Sequence, residues 1–146
     1  MIVVDSMLGR LSRYLRMIGY EVEYVDNGKE DSYIVDISKE NLVITMDKQL
    51  HERLENSILI KSFSPQEQLA ELKGKLPDPE HGFLDLCSKC GSVLDIVKSK
   101  DGLPDYVNRN SGEIFYCRKC EKYYWHGSHT DNFRTMLERI GFEIRH

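Results

Sequence analysis

Four cysteines and a small set of aspartates are the residues of this 146-residue chain whose types and spacing could do chemistry. Cys87-Ser88-Lys89-Cys90 and Cys117-Arg118-Lys119-Cys120 are two C-x-x-C pairs. Two thiolates at that spacing fit two corners of a tetrahedron, and a second pair completes it; soft sulfur ligands in that geometry favour zinc. Gly91, directly after the first pair, permits the positive φ that such a turn needs. Cys117 and Cys120 with His126 and His129 would make a competing Cys2His2 set, which leaves Cys87 and Cys90 without a role. Either set is closed, with no position for a substrate, so the expected zinc is structural.

The aspartates point to harder chemistry. Asp5 follows a β-branched run, Ile2-Val3-Val4, while Asp26 follows a second such run and Asp47 a third. Glu30 and Asp31 open the segment after the second run. If these runs are parallel strands, the acids collect at one edge of a sheet, where open α/β sheets bind their ligands. Carboxylates crowded together repel one another unless they share a cation, and hard oxygen ligands suit Mg²⁺ or Mn²⁺. Such an ion activates water and polarises a phosphoryl oxygen, which is the chemistry of phosphodiester hydrolysis. Each of Asp5, Asp26 and Asp47 also has a simpler role, because Asp is a preferred helix N-cap.

The surrounding pattern supplies the elements. Leu8, Leu11, Leu15 and Ile18 recur at three and four, which predicts a helix over 7–18, with Ser6 as its cap and Gly19 as its stop. Alternation predicts a strand over 21–25, then a short helix over 31–39 carrying Ile34 and Ile37. The apolar run 42–45 reads as a strand buried in a parallel sheet. A helix from Asp47 to Leu54, a strand over 58–60 and a helix over 65–72 follow. This β-α repetition predicts an α/β fold, a parallel sheet with helices on both faces. Residues 1–74 form the expected first domain. Residues 75–84, rich in Pro and Gly, read as a linker. Residues 85–146 hold short β pieces around the cysteines, at 93–98 and 114–116, and a closing helix near 130–140 capped by Ser128 or Thr130. About 40 residues around the cysteines are too few for an ordinary core, so metal must supply folding energy.

Composition bounds the function. With 20 Lys+Arg against 24 Asp+Glu, a net charge of −4 argues against coating nucleic acid by charge alone. It does not exclude an enzyme that concentrates carboxylates to hold metal. The acidic excess lies in the first domain and the cysteines in the second. No apolar run approaches the roughly 18 residues of a membrane span. The opening MIVVDSMLGR lacks the basic and apolar regions of a signal peptide, so the cytoplasm is the expected compartment, where thiols stay reduced.

Several motifs, in order along nearly the whole chain, resemble one family. Asp5-Ser6-Met7-Leu8-Gly9-Arg10-Leu11 and Tyr14-Leu15-Arg16-Met17-Ile18-Gly19-Tyr20 are similar to the opening of the Mut-seven C-terminal ribonuclease domain, a PIN-like nuclease family. Val43-Ile44-Thr45-Met46-Asp47, Gln68-Leu69, the two C-x-x-C pairs and Tyr124-Trp125-His126-Gly127-Ser128-His129 continue the likeness. The resemblance implies a PIN-like domain with an appended zinc ribbon and a metal-dependent ribonuclease. By the same resemblance Asp5, Asp31 and Asp47 match the family's acids, with Glu30 the alternative to Asp31 and with Asp26 and Asp36 as further carboxylates. Met46 stands where the family commonly has a basic residue. PIN nucleases would leave 5′-phosphate and 3′-hydroxyl ends.

RNA is the expected partner. Arg10, Arg13 and Arg16 lie on the helix that starts beside Asp5, and the planar fork of arginine suits phosphate. Lys119, Lys122 and His129 add basic groups in the ribbon, where Tyr123, Tyr124 and Trp125 could stack on unpaired bases. Trp125 is assigned first to the ribbon's small core. The rival expectation is a non-catalytic RNA- or ribosome-associated adaptor, in which the acids only cap helices and the ribbon binds.

Overall fold

The computed structural model describes residues 1–25, 31–108 and 112–144. Four short strands, β1 (Ile2–Asp5), β2 (Val22–Val25), β3 (Leu42–Thr45) and β4 (Ser57–Leu59), form a wholly parallel sheet in the order β2-β1-β3-β4. β1 and β3 are central and take β-branched or leucine side chains on both faces, as a doubly covered sheet requires. Helices α1 (Gly9–Ile18) and α4 (Pro65–Leu72) cover one face, where Leu11, Leu15, Ile18, Leu69 and Leu72 pack on Ile2, Val4 and Ile44. Helices α2 (Asp31–Ile37) and α3 (Lys48–Arg53) cover the other, with Ile34 and Leu50 against Val3, Val25 and Val43. Each fully buried leucine or isoleucine contributes about 1.5–3 kcal/mol.

The chain leaves β1 for β2 on one side and then returns past β1 to β3 on the other. The direction of winding therefore reverses between β1 and β3, and a crevice opens there at the carboxyl ends of the strands. Asp5 is the last residue of β1 and Thr45 the last of β3, on neighbouring strands.

One difference from expectation lies at the first helix. A 3-10 turn, Ser6–Leu8, precedes α1, and the cap is the Asp5 carboxylate, which accepts the Ser6 N–H at 2.7 Å. The Ser6 hydroxyl does not supply it. At the far end Gly19 closes α1 as expected: its N–H reaches the Arg16 carbonyl and the N–H of Tyr20 reaches that of Leu15. That paired pattern needs a left-handed residue, and Gly19 has φ +122°.

The stretch 75–84 does not hang free. His81 N donates to Gly19 O at 3.0 Å, Leu84 N to Met17 O at 2.8 Å and the Tyr20 hydroxyl to Pro77 O at 2.6 Å. Phe83 is buried in the α1/α4 core. Beyond it, β5 (Asp95–Val97), β6 (Ile114–Cys117) and β7 (Lys122–Trp125) make a small antiparallel sheet, with the short helix α5 (Asp105–Asn108) between β5 and β6. The closing helix α6 (Ser128–Arg139) returns Phe133 and Leu137 to the same core that holds α1. Its N-cap residue is Gly127; Thr130 Oγ1 accepts the Gly127 N–H at 2.9 Å and donates to its carbonyl at 2.8 Å.

Gly19 is the test of this strapping. A Cβ there would run into the His81 carbonyl, at a φ that L side chains avoid. Gly19→Ala should lower stability by about 2 kcal/mol or more, read as a shift in the urea midpoint.

Candidate functional site

The four cysteines converge from two turns. Cys87 and Cys90 belong to the turn before Ser92; Cys117 ends β6 and Cys120 precedes β7. Their sulfurs all lie within 4.8 Å of one another. Cys87 and Cys120 are 3.9 Å apart and Cys90 and Cys117 3.5 Å. Zinc bound at about 2.3 Å to four sulfurs sets tetrahedral edges of roughly 3.8 Å, so these two separations bracket what zinc requires and the set could hold it. All four are free thiols rather than disulfides. The residues after each pair, Gly91 and Glu121, have φ +82° and +54°, so both turns have one geometry. His126 and His129 are exposed and stand outside this cluster, which rules out the Cys2His2 set.

Hydrogen bonds surround the sulfurs. Cys90 Sγ accepts the Ser92 N–H at 3.4 Å, Cys117 Sγ accepts the Cys120 N–H at 3.4 Å, and the Tyr124 hydroxyl lies 3.0 Å from Cys87 Sγ. Burial pushes the Cys90 thiol up, but the bonds from Ser92 outweigh it and bring the pKa down to about 6. Burial and the crowding of Cys90 and Cys87 push Cys120 up to about 12. Four thiols this close cannot all shed their protons alone; a dication that shares their charge lets them do so.

Arg16 joins this cluster to the parallel sheet. Its guanidinium donates to Lys89 O at 2.9 Å and Ser88 O at 3.4 Å in the first cysteine turn, and to Val22 O at 2.9 Å in β2. The residue is 7% exposed. It lies 3.2 Å from where a Cβ on Gly91 would sit, so that glycine is needed for space as well as for φ. Burial depresses the Arg16 pKa, and the cysteine thiolates counter it. Arg16 is therefore not open to RNA as expected. Its two terminal nitrogens bond backbone carbonyls while Nε is buried without a hydrogen bond among the described residues, and its charge faces the sulfurs.

At the carboxyl edge of the sheet two of the expected acids are linked through one threonine, one by its carboxylate and the other by its backbone. Thr45 Oγ1 donates to Asp5 Oδ2 at 2.8 Å and accepts the Asp47 N–H at 3.0 Å. Asp5 is buried, and its other oxygen caps the 3-10 turn; Asp47 Oδ1 caps α3 by accepting the Leu50 N–H at 3.1 Å. Both acids thus have the simple capping role; Asp5 Oδ1 also accepts the Ser6 hydroxyl at 3.4 Å, which leaves Asp5 Oδ2 and the Asp47 carboxylate with lone pairs to spare. Asp31 does not join them. It is exposed at the start of α2, 3.5 Å from Arg53, and among the described residues only the cysteines gather closely enough to hold one ion by three or more side chains. Asp36 is exposed and pairs with Lys39 at 3.5 Å. Asp26 and Glu30 lie outside the described residues.

Of the expected RNA contacts, Arg10 on α1 and His129 on α6 line one groove of about 600 Å³ together with Tyr14. Arg13 is exposed elsewhere on α1. Lys119 is exposed in the second cysteine turn, and Lys122 stands 5.4 Å from the Tyr124 ring. Trp125 is half-buried, with its ring 6.3 Å from that of the exposed Tyr106. Sequence reasoning missed Thr45 as the link between the acids and Arg16 as the link between the parts. The Thr-x-Asp spacing was the available signal for the first; nothing local marks the second.

The model of the Mut7-C RNAse domain family matches residues 1–137. Among curated proteins and solved structures none matches.

Two outcomes test this geometry. The purified protein should carry one zinc per chain by elemental analysis, and Cys117→Ser should abolish it and unfold the ribbon. Arg16→Ala should cost about 3 kcal/mol of zinc-loaded stability in urea unfolding, because it strands buried carbonyls on both sides. Arg16→Lys, with no planar fork, should recover less than half of that.

Proposed function

From the chain's membership of the Mut7-C RNAse domain family, we propose that it is a cytoplasmic ribonuclease that hydrolyses RNA phosphodiester bonds at the Asp5–Asp47 edge with Mg²⁺ or Mn²⁺. The observation that carries this reading is the Thr45 hydroxyl, which ties the Asp5 carboxylate at the end of β1 to the Asp47 backbone just past β3, at the point where the sheet's winding reverses. Magnesium keeps several waters and is commonly held by one or two carboxylates plus substrate phosphate, so a pair of acids is an adequate donor set. When bound, such an ion would lower the pKa of a water and offset charge on the phosphate.

The chain's own residues do the positioning. Asp5, buried and held at both oxygens, keeps a fixed orientation and has a lone pair left on Oδ2. Asp47, only half-buried, has one oxygen on the Leu50 amide and the other without a hydrogen bond among the described residues. Thr45 has its proton committed to the Asp5 carboxylate and its acceptor side to the Asp47 backbone N–H, while the Leu50 amide holds the Asp47 carboxylate. Asp31, the third acid of the expected metal-holding set, pairs with Arg53 and would have to leave it to share the ion. The zinc ribbon is structural and assists RNA binding through Lys119 and Lys122. The phosphate product end would be 5′, as in PIN nucleases.

Cleavage of labelled RNA with and without Mn²⁺ tests the reading. Asp5→Asn and Asp47→Asn should each lower the rate by at least about a hundredfold while the urea midpoint changes little, since Asn also caps. Thr45→Val should cost roughly 10–100-fold and Thr45→Ser much less. Full activity in both Asn variants would favour the adaptor.

A further inference from the structure

We propose that the groove between α1, α4 and α6 is the track for single-stranded RNA and leads the strand to the carboxylate edge. This rests on the reading of that edge as a nuclease site, and deepens it by naming the form of the substrate and its path. α1 follows β1 after the 3-10 turn Ser6–Leu8, and α4 follows β4 after residues 60–64, so in this parallel sheet both helices set out from the carboxyl edge. Arg10 and Gln66, each in the first turn of its helix, are thus on the side of the sheet where Asp5 ends β1 and Asp47 follows β3. The third wall is α6, whose first turns bring His129 and Asn132.

The chemistry of the walls selects the occupant. In a chain with 24 Asp and Glu, no carboxylate is among the described residues lining this groove. It offers instead an exposed guanidinium from Arg10, an imidazole from His129 and two exposed side-chain amides, from Gln66 and Asn132. The larger groove of about 680 Å³ near the end of α6 has Asp78 and Glu143 in its wall and would repel phosphate. The track also has an aromatic wall: Tyr14 is half-buried, with its ring 4.7 Å from that of Phe133, which fixes its orientation. A cation, hydrogen-bonding amides and an aromatic side chain are what unpaired nucleotides need, phosphate on charge and base on ring. A volume of about 600 Å³ falls within the roughly 300–1,000 Å³ of small-molecule sites, room for a nucleotide or two but not for a duplex.

The test is fluorescence anisotropy on the full, zinc-loaded chain without added divalent cation. The probe is a short fluorescein-labelled single-stranded RNA of mixed sequence, and its duplex is the comparison. The single strand should bind more tightly than the duplex. Arg10→Glu should weaken it by about tenfold or more, and Arg10→Ala should reduce the salt slope by roughly 0.7, the loss of one phosphate contact. The pair Gln66→Ala and Asn132→Ala should weaken binding without changing that slope, and Tyr14→Leu, which keeps an apolar side chain against Phe133, should weaken it severalfold. Lys39→Glu, an equal charge reversal on the opposite face, should leave binding unchanged. If Arg10→Glu and Lys39→Glu bind alike, or the duplex binds as well as the single strand, the track is wrong, while cleavage lost in Asp5→Asn still upholds the nuclease reading. If instead the groove variants lose binding but Asp5→Asn cleaves normally, the track stands and the catalytic assignment falls.

Discussion

The guanidinium of Arg16 is the tie on which the arrangement of this chain depends. It leaves α1, satisfies a carbonyl of β2 and two carbonyls of the first cysteine turn, and brings a positive charge toward the sulfurs. A zinc ion with four thiolates carries a formal charge of roughly −2, which is costly to bury unless cations and N–H donors face it. Arg16 and the amides of Ser92 and Cys120 face it. The reverse also holds, because the buried arginine would be costly without the carbonyls and sulfurs around it. The four-cysteine site and the parallel sheet are thus each other's partners. A metal held by the cysteines would also fix the start of the segment leading to α6.

That coupling matters for the groove. Two of its walls, α1 and α4, belong to the parallel sheet's own layer, and the third, α6, follows the ribbon directly after β7. Phe133 and Leu137 seat α6 on the shared core, while Gly127 and Thr130 set the angle at which it leaves β7. A rigid scaffold with short connections is what positions side chains for recognition. Here the rigidity comes from a small apolar core extended across both parts and from the thiol cluster, not from the size of either sheet.

The acids show how one residue type serves two purposes. Asp5 and Asp47 cap the elements that follow their strands, and the same capping holds their carboxylates at the crevice. The two readings of these aspartates are not alternatives: the cap contributes about 1 kcal/mol and supplies orientation. Thr45 adds the cross-strand bond. Asp31 lacks any such tie, and its exposed pairing with Arg53 is worth little in water.

Much of this was legible in the residues alone. The β-α repetition, the helix face of Leu8, Leu11, Leu15 and Ile18, and the stop at Gly19 are local patterns, and local sterics and burial decide them. The two C-x-x-C pairs likewise announce a tetrahedral set, because the spacing itself brings each pair of sulfurs onto one tight turn. What sequence could not decide is which charged group goes inside. Arg10, Arg13 and Arg16 are spaced alike, yet only Arg16 meets unsatisfied carbonyls from elements far along the chain, and Asp5 meets Thr45 while Asp31 meets Arg53. Helix periodicity places a side chain on a face, but its partner on that face comes from the tertiary packing, and for a buried charge the partner sets both its energy and its role.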